Sequence, residues 1–280
     1  MVQEESGGKL LNPLTPVRTI CQNWYFLRQF TVRNIQSRFK GSFLGALWLL
    51  AYPLMMLSIY TFVFCVVFKA KWGDVHGYTD SKLLFAMMLF CGMAVFNVFS
   101  DSLGGGVSAI VSRPNFVKKI NTPLELLPVA MVLSALLLTL LWFAVLLVTI
   151  LFAYKGIPIT ALWLPVLLVP LVLLSLGSAW LVASLGVYIR DFGQAIPIFT
   201  QVAFFLTPIF YSVDMIPEEY QFILALNPLT GMVENTRLIL LQGQNPDMMR
   251  WLWQTIGTLI FSQLCYVWFM KTKRGFADVM

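Results

Sequence analysis

The sequence predicts an all-α, polytopic membrane protein, and three observations support this fold class. First, 59% of the 280 residues are hydrophobic and only 11% are charged, whereas a soluble chain carries roughly 25% charged residues. Second, the apolar residues fall into six runs, and each is long enough for a helix to cross a hydrocarbon core about 30 Å thick. Third, Lys and Arg are unequally distributed between alternate connecting segments, which is typical of a multi-pass protein.

The charge distribution predicts the orientation of the chain. Segments that would share one side of the membrane contain 13 Lys and Arg, and those on the other side contain 6. The positive-inside rule therefore places both termini in the cytoplasm. We divide the chain into a cytoplasmic N-terminal segment, 1–42, a six-span membrane domain, 43–270, and a cytoplasmic tail, 271–280. The predicted spans are 43–68, 83–109, 126–153, 161–188, 195–212 and 252–270.

The N-terminal segment contains one predicted amphipathic helix, from Arg18 to Lys40. Its apolar arc either enters the headgroup region, with the basic residues meeting anionic lipid, or packs on the protein's own helices. Arg38 lies on the apolar arc and fits neither interpretation. The arc contains Ile20, Trp24, Leu27, Phe30 and Ile35, and the opposite side contains Arg18, Gln22, Gln29, Arg33, Gln36 and Lys40.

The second span has two unusual features. Asp101 is the exception to a near absence of charge within the spans, and an intramembrane carboxylate is costly. Gly104, Gly105 and Gly106 follow it, although each glycine costs a helix interior roughly 1 kcal/mol relative to alanine. We expect either a break in the helix or the close approach of another helix at this triplet.

A short cytoplasmic helix is predicted after the second span. Pro114 suits a first helical position, Phe116 and Ile120 lie on one face, and Pro123 ends the helix. Lys118 and Lys119 flank this apolar face. A helix of two turns is unstable alone, so it must dock on this protein's own helix ends or on a separate subunit.

The predicted outer segment 213–251 is long, and its acidic residues outnumber its two basic residues, Arg237 and Arg250. Segments of this length rarely lack structure. Two short helices hinged at Asn227-Pro228 fit this sequence, and a re-entrant course is compatible with the apolar run 232–241.

The chain lacks the motifs of common catalytic and metal sites. It contains no GxxxxGK[ST] phosphate loop, and its single histidine, His76, belongs to no HExxH motif. Its four cysteines are far apart in sequence, without metal-ligand spacing. We expect no catalytic residue, no metal and no cofactor in this chain, and no ATP hydrolysis by the chain alone.

The first and fifth spans are rich in aromatic residues. These aromatics either pack in the core and face lipid, or present flat faces with polar groups over which sugar rings can slide. The candidates for such a path are Trp48, Tyr52 and Tyr60 in the first span and Phe199, Phe204 and Tyr211 in the fifth.

Several motifs together resemble the permease subunits of ATP-binding-cassette polysaccharide exporters of the O-antigen, capsule and teichoic-acid type. The resemblance covers nearly the whole chain. It is carried by RFKGSFLGALW at 38–48, YP at 52–53, YTFVF at 60–64, NTPLELLP at 121–128, YIRD at 188–191, TPIFY at 207–211, LNPL at 226–229 and FAD at 276–278.

This resemblance implies a homodimer in the bacterial inner membrane that carries two separate ATPase subunits, which would bind ATP and Mg. The dimer would export a lipid-linked polysaccharide such as O-antigen or capsule, and it would contact membrane lipids but no nucleic acid. The first and fifth spans would line the channel, segment 18–40 would be an interface helix, and the outer helices would gate the path. The ATPase would contact Arg113, Phe116, Lys118, Lys119 and Ile120, and also Arg190 and Asp191.

Three alternatives remain at this stage. A permease of the same superfamily could export teichoic acid, a drug or a small lipid. A membrane-embedded glycolipid-modifying enzyme would need a catalytic histidine or acidic pair near the interface, which His76 and the adjacent Glu218-Glu219 do not readily supply. A passive structural membrane protein is disfavoured by the short docking helix and the long outer segment.

Overall fold

The computed structural model describes residues 12–67, 82–118, 123–189 and 191–280, and within these ranges the chain is helical and contains no strand, as predicted. The α-helices are α1 (Leu14–Gln22), α2 (Trp24–Ser37), α3 (Trp48–Thr61), α4 (Lys82–Val111), α5 (Pro114–Lys118), α6 (Leu126–Tyr154), α7 (Leu164–Tyr188), α8 (Phe192–Leu206), α9 (Glu218–Leu226), α10 (Pro228–Leu241), α11 (Met248–Thr272) and α12 (Phe276–Val279).

Each predicted span corresponds to a helix, although the ends differ. Among the described residues, the helices at Lys82–Val111, Leu126–Tyr154 and Ile159–Tyr188 are long and apolar enough to cross a membrane. Trp48–Phe64 and Phe192–Leu206 are shorter apolar helices. The fifth span was predicted to reach residue 212, but α8 ends at Leu206. Thr207 has an extended backbone because Pro208 follows it.

Helix α4 is the centre of the structure. It is buried along most of its length and packs against α6, α7, α8 and α10. Helix α7 in turn packs against α11. One apolar core runs along α4 and includes residues from α6, α7 and α10, and a second surrounds the junction of α2, α6, α7 and α11.

The glycine triplet allows two helices to approach α4 closely. A Cβ atom on Gly106 would lie 3.0 Å from the Cα atom of Ala179 in α7, and one on Gly105 would lie 3.0 Å from Met131 Cβ in α6. A Cβ atom on Gly104 would meet nothing within 4 Å. The close approach is therefore confirmed, and the alternative of a helix break is wrong because α4 continues to Val111.

The predicted single helix from Arg18 to Lys40 is wrong, because α1 and α2 are separate helices that meet at Asn23. The predicted apolar arc is also divided. Leu27 and Phe30 are buried, and α2 packs on α6, whereas Trp24 is exposed. Asn34 Nδ2 donates to Ser134 Oγ at 3.1 Å, which fixes the rotation of α2 on α6.

The two charged residues that interrupt apolar surfaces form an ion pair. Arg38 Nη1 lies 2.7 Å from Asp101 Oδ2. Arg38 follows α2 and Asp101 lies in the middle of α4, so the pair joins the N-terminal segment to the central helix. Each charge therefore has a structural explanation that its own stretch of sequence did not reveal.

The C-terminal residues fold back against the helix ends. Phe276 is fully buried, with its ring 5.6 Å from that of Phe269 and 5.9 Å from that of Tyr188. Lys273 Nζ donates to Glu125 Oε2 at 2.7 Å, just before α6. The tail is therefore part of the packed structure and not a loose extension.

Candidate functional site

Aromatic residues of α3, α4 and α8, and of the segments that follow α3 and α8, form a continuous cluster. The Tyr60 ring lies 6.3 Å from Phe204 and 5.3 Å from Phe210, measured between ring centroids. Phe64 stacks on Phe210 at 4.8 Å, and Phe96 of α4 meets Phe204 at 5.1 Å. Such pairs stabilise packing by about 0.5–1.5 kcal/mol beyond the area that they bury. Two of the residues predicted to line a path, Tyr60 and Phe204, are thus brought together.

A small cavity of about 150 Å³ opens beside this cluster. It combines aromatic walls with amide and hydroxyl groups, which is the chemistry expected of a surface that contacts sugars. Its volume is below the roughly 300–1,000 Å³ of small-molecule sites, so this conformation cannot enclose a polymer. The cavity is lined by Tyr52, Met56, Tyr60, Met93, Phe96, Asn97, Ser100, Trp142, Thr200, Gln201 and Phe204.

The remaining predicted path residues lie apart from the cavity. Trp48 begins α3 and is partly exposed, and Phe199 of α8 has more than half of its surface exposed. Tyr211 donates its hydroxyl hydrogen to the Phe205 carbonyl at 2.9 Å and packs against the core. Trp48, Phe199 and Tyr211 do not line the cavity that contains Tyr52, Tyr60 and Phe204.

The outer segment forms the two predicted helices, α9 and α10, with the hinge at Asn227-Pro228. Asn227 Oδ1 accepts from the Leu229 amide at 3.0 Å and caps α10. Its Nδ2 donates to Thr207 Oγ1 at 3.0 Å. The hinge asparagine therefore ties the start of α10 to the end of α8.

Arg237 of α10 is the buried charge that sequence reasoning missed, since we counted it as an outer-loop residue. Its side chain is 1% exposed and bonds to Glu234 at 2.9 Å. It also donates to three backbone carbonyls: Nε to Met88 at 3.1 Å, Nη1 to Pro208 at 2.7 Å and Nη2 to Ile209 at 2.9 Å. One guanidinium thus joins α4, α10 and the segment after α8.

The sequence held two indications of this arrangement. Glu234 and Arg237 are three residues apart, as in a helical ion pair, and apolar residues lie on both sides of the segment 234–237. Gly92 of α4 provides the space, because a Cβ atom there would lie 3.0 Å from Arg237 Nη2 and 3.4 Å from Ile209 Cα. The bonds themselves join residues 28 to 149 positions apart, which local patterns do not reveal.

The short helix α5 begins at Pro114, as predicted, and docks on α2. The Phe116 ring meets the Phe30 ring edge-on at 5.9 Å, and the Arg113 guanidinium carbon lies 4.9 Å from the centroid of the Phe30 ring. Arg113 also donates to the Ala109 carbonyl at 2.9 Å. From the sequence, α5 was expected to dock on this protein's own helix ends or on a separate subunit. The structure shows α5 docked on the protein's own helix α2.

The electrostatics of this contact are unusual. Burial lowers the pKa of Arg113 below its ordinary value, and the like charge of Arg33 lowers it further. Arg33, Arg113 and Phe116 line a pocket of about 250 Å³, and within the described part of the chain no residue that lines it is acidic. Two cations therefore lie close together without a carboxylate in the pocket.

The structure gives less information on the other predicted coupling residues. The Lys118 side chain, Lys119, Ile120 and Arg190 lie outside the described residues. Asp191 is exposed and precedes α8, and its carbonyl accepts from the Gln194 amide at 3.0 Å. A role of these residues in binding a partner stays a prediction.

Comparison with known proteins identifies the family. The ABC-2 type transporter family matches residues 25–241, which is most of the chain. The chain belongs to this family. The match includes α2, α5, the aromatic cluster and Arg237. An ABC-2 chain is the membrane subunit of a transporter, so the absence of a phosphate loop agrees with the family.

Several curated relatives of this ABC-2 chain are named for polysaccharide export. An O-antigen export system permease protein of Myxococcus xanthus is 28% identical and aligns over 82% of this chain and 86% of its own length. A Klebsiella pneumoniae protein of the same name is 27% identical, with 84% and 90% covered. The polysialic acid transport protein of Escherichia coli is 26% identical, with 76% and 80% covered.

Proposed function

We propose that the chain is the transmembrane subunit of an ATP-driven exporter that moves a lipid-linked polysaccharide, of the O-antigen or capsule kind, across the inner membrane. The observation that carries this proposal is its similarity, over most of its length, to permeases named for O-antigen and polysialic acid export. The aromatic and amide-lined cavity between α3, α4 and α8 supports a sugar substrate.

The proposal includes a six-span topology with both termini in the cytoplasm. The spans would be α3, α4, α6, α7, α8 and α11, with α9 and α10 at the outer side. Helices α3 and α8 have few buried residues in the single chain, Pro53 and Ile196. A second copy of the chain would cover these faces and complete the channel between them.

The coupling mechanism follows from the contacts of α5. Two ATPase subunits would bind ATP and Mg, move together and displace α5. Because Phe116 packs on Phe30, the displacement would reach α2, and α2 leads into α3. The Arg38–Asp101 ion pair connects the same segment to α4. A nucleotide can shift the exporter between two conformations only if it binds one of them more tightly than the other. We infer that this preference reaches the channel through these contacts.

Substitution Phe116→Asp tests this mechanism. A carboxylate at the Phe30 contact would lose the ring packing and bury a charge beside an aromatic face. We expect surface polysaccharide to fall at least tenfold in a deletion strain complemented with this variant, while its membrane level stays normal. Val17→Asp, which adds the same charge at an exposed apolar position of α1, is the matched control and should export normally.

Normal surface polysaccharide with Phe116→Asp would contradict the coupling role of α5. The proposed function is tested separately by deleting the gene and identifying the material that accumulates inside the cell. Accumulated lipid-linked polysaccharide supports the proposal. Accumulation of a drug or a small lipid, or catalytic activity of the isolated chain, would favour the alternatives.

The path residues are tested by Trp48→Ala and Tyr52→Ala, singly and together. We expect a lower export rate without loss of ATPase association, because Trp48 begins α3 and Tyr52 lines the cavity, and neither is among the residues predicted to contact the ATPase. Unchanged export in all three variants would assign these rings to packing alone.

A further inference from the structure

The face of α2 directed away from the other helices forms a groove of about 1190 Å³ with the start of α3. Three basic residues line it, Arg28, Arg33 and Lys40, and none of the described residues that line it is acidic. None of the three forms an ion pair with another described residue. Three positive charges in one groove without a carboxylate favour an anionic occupant.

The orientation of these charges is fixed by the opposite face of α2. Leu27 and Thr31 are buried, and Asn34 bonds to Ser134 of α6. Arg28 and Arg33 therefore cannot rotate toward the bundle without breaking the packing of α2 on α6. Their guanidinium groups stay available to a partner outside the chain.

The groove also has an apolar component. Tyr25 and Val32 of α2 and Leu49 of α3 line it together with the basic residues, and Tyr25 is largely exposed. Leu49 lies near the start of the first predicted span. An occupant that carries both negative charge and an apolar part fits this combination better than a soluble anion does.

The size of the groove favours several small headgroups over one enclosed ligand. Its volume exceeds the roughly 300–1,000 Å³ of ordinary small-molecule sites. We propose that this groove between α2 and the start of α3 binds the phosphate headgroups of anionic phospholipids in the cytoplasmic leaflet. This inference rests on the proposed position of α2 at the membrane surface but not on the identity of the exported substrate.

Lipid binding in this groove would act on the coupling contact. Arg33 lines both the groove and the smaller pocket that holds Arg113 and Phe116. A phosphate beside Arg33 offsets the repulsion between Arg33 and Arg113 and stabilises the docking of α5 on α2. Anionic lipid is thus a structural partner of the coupling segment.

The test uses the full-length protein in detergent, titrated with phosphatidylglycerol and followed by native mass spectrometry. The groove variant carries Arg28→Gln, Arg33→Gln and Lys40→Gln. The matched control carries Arg18→Gln, Lys271→Gln and Arg274→Gln, which removes three exposed charges elsewhere. A basic residue near an anionic surface contributes about a fivefold change in affinity, so we expect phosphatidylglycerol binding to weaken at least fivefold in the groove variant and less than twofold in the control.

Four outcomes would overturn the proposal. Two of them concern the variants: unchanged lipid binding in the groove variant, or an equal loss of lipid binding in the groove variant and the control. The third is displacement of the lipid by millimolar inorganic phosphate. The fourth is normal lipid binding combined with lost ATPase association in the groove variant, which would assign the groove to a protein partner. The single variants Arg28→Gln and Lys40→Gln, each expected to weaken binding about fivefold, serve if the triple variant does not fold. None of these results depends on export, so failure here leaves the proposed function standing.

Discussion

Substitution Arg237→Met tests whether the guanidinium of α10 holds three parts of the molecule together. Methionine fills similar space but donates no hydrogen bond, so the carbonyls of Met88, Pro208 and Ile209 lose their side-chain donor. Met88 lies inside α4 and keeps its helical bond, whereas Pro208 and Ile209 lie outside any helix. The loss in the free energy of unfolding should therefore come mainly from the carbonyls of Pro208 and Ile209.

The magnitude follows from the burial of these groups. A buried acceptor without a donor costs about 1–3 kcal/mol, and hydrogen bonds to a charged donor are stronger than neutral ones. We expect a loss of about 3–5 kcal/mol in the free energy of unfolding. For a chain of this size, that loss corresponds to a decrease of roughly 6–20 °C in Tm.

Thermal unfolding of the purified protein in detergent, followed by tryptophan fluorescence, measures this decrease. Arg237→Lys should give an intermediate Tm, because a lysine keeps the charge but its donors radiate from one nitrogen and cannot reach all three carbonyls. Arg250→Met removes an exposed arginine at the start of α11 and should change Tm by less than about 2 °C, as is usual for surface substitutions. A Tm for Arg237→Met within the range of this control would refute the reasoning.

Three further substitutions test other contacts. Gly106→Ala should destabilise the protein by about 1–3 kcal/mol because its Cβ atom would meet the backbone of α7. Gly104→Ala, the control, should be neutral or stabilise the protein by up to about 1 kcal/mol. Equal changes in Tm for the two variants would show that close helix approach is not the reason for the glycine triplet. A double-mutant cycle on Arg38 and Asp101, whose side chains are more than a third exposed, should give a coupling of about 0–1 kcal/mol, and a value above about 2 kcal/mol would show that water is excluded from the pair. Lys273→Met leaves a buried carboxylate before α6 without its cation and should cost about 1.5–3 kcal/mol, to be checked against the wild-type Tm.

The sequence allowed prediction of the features that depend on short stretches of chain. Apolar runs located the long helices, Pro114 marked the start of α5, and Asn227-Pro228 marked the hinge of the outer segment. In each case neighbouring residues determine the structure, through hydrophobic periodicity or the backbone restrictions of proline. The exception was the break between α1 and α2 at Asn23, where the periodicity continues although the helix does not.

Contacts between distant residues could not be predicted in this way. Arg38 and Asp101 were each recognised as anomalies, but their pairing requires the C-terminal end of α2 to lie beside α4. Arg237 was misassigned because a charge in a polar segment is usually solvated, and its burial depends on carbonyls presented by α4 and the end of α8. Of the candidate path, Tyr60 and Phe204 meet in the fold, whereas the exposure of Trp48 and Phe199 could be established only from the packing.

The distribution of these contacts separates the molecule into firmly and loosely held parts. Helix α4 is joined firmly to α10 through Arg237 and to α6 and α7 by close packing at the glycine triplet, whereas its ion pair with Arg38 is more than a third exposed and holds the N-terminal segment only weakly. By contrast, α3 and α8 contribute few buried residues in the single chain. Packed elements with many buried contacts move as rigid bodies, whereas elements with few such contacts can shift at low cost. If nucleotide moves α5 and α2, the displacement should therefore appear at α3 and α8, the helices that carry the aromatic cluster, while α4 and its partners stay fixed.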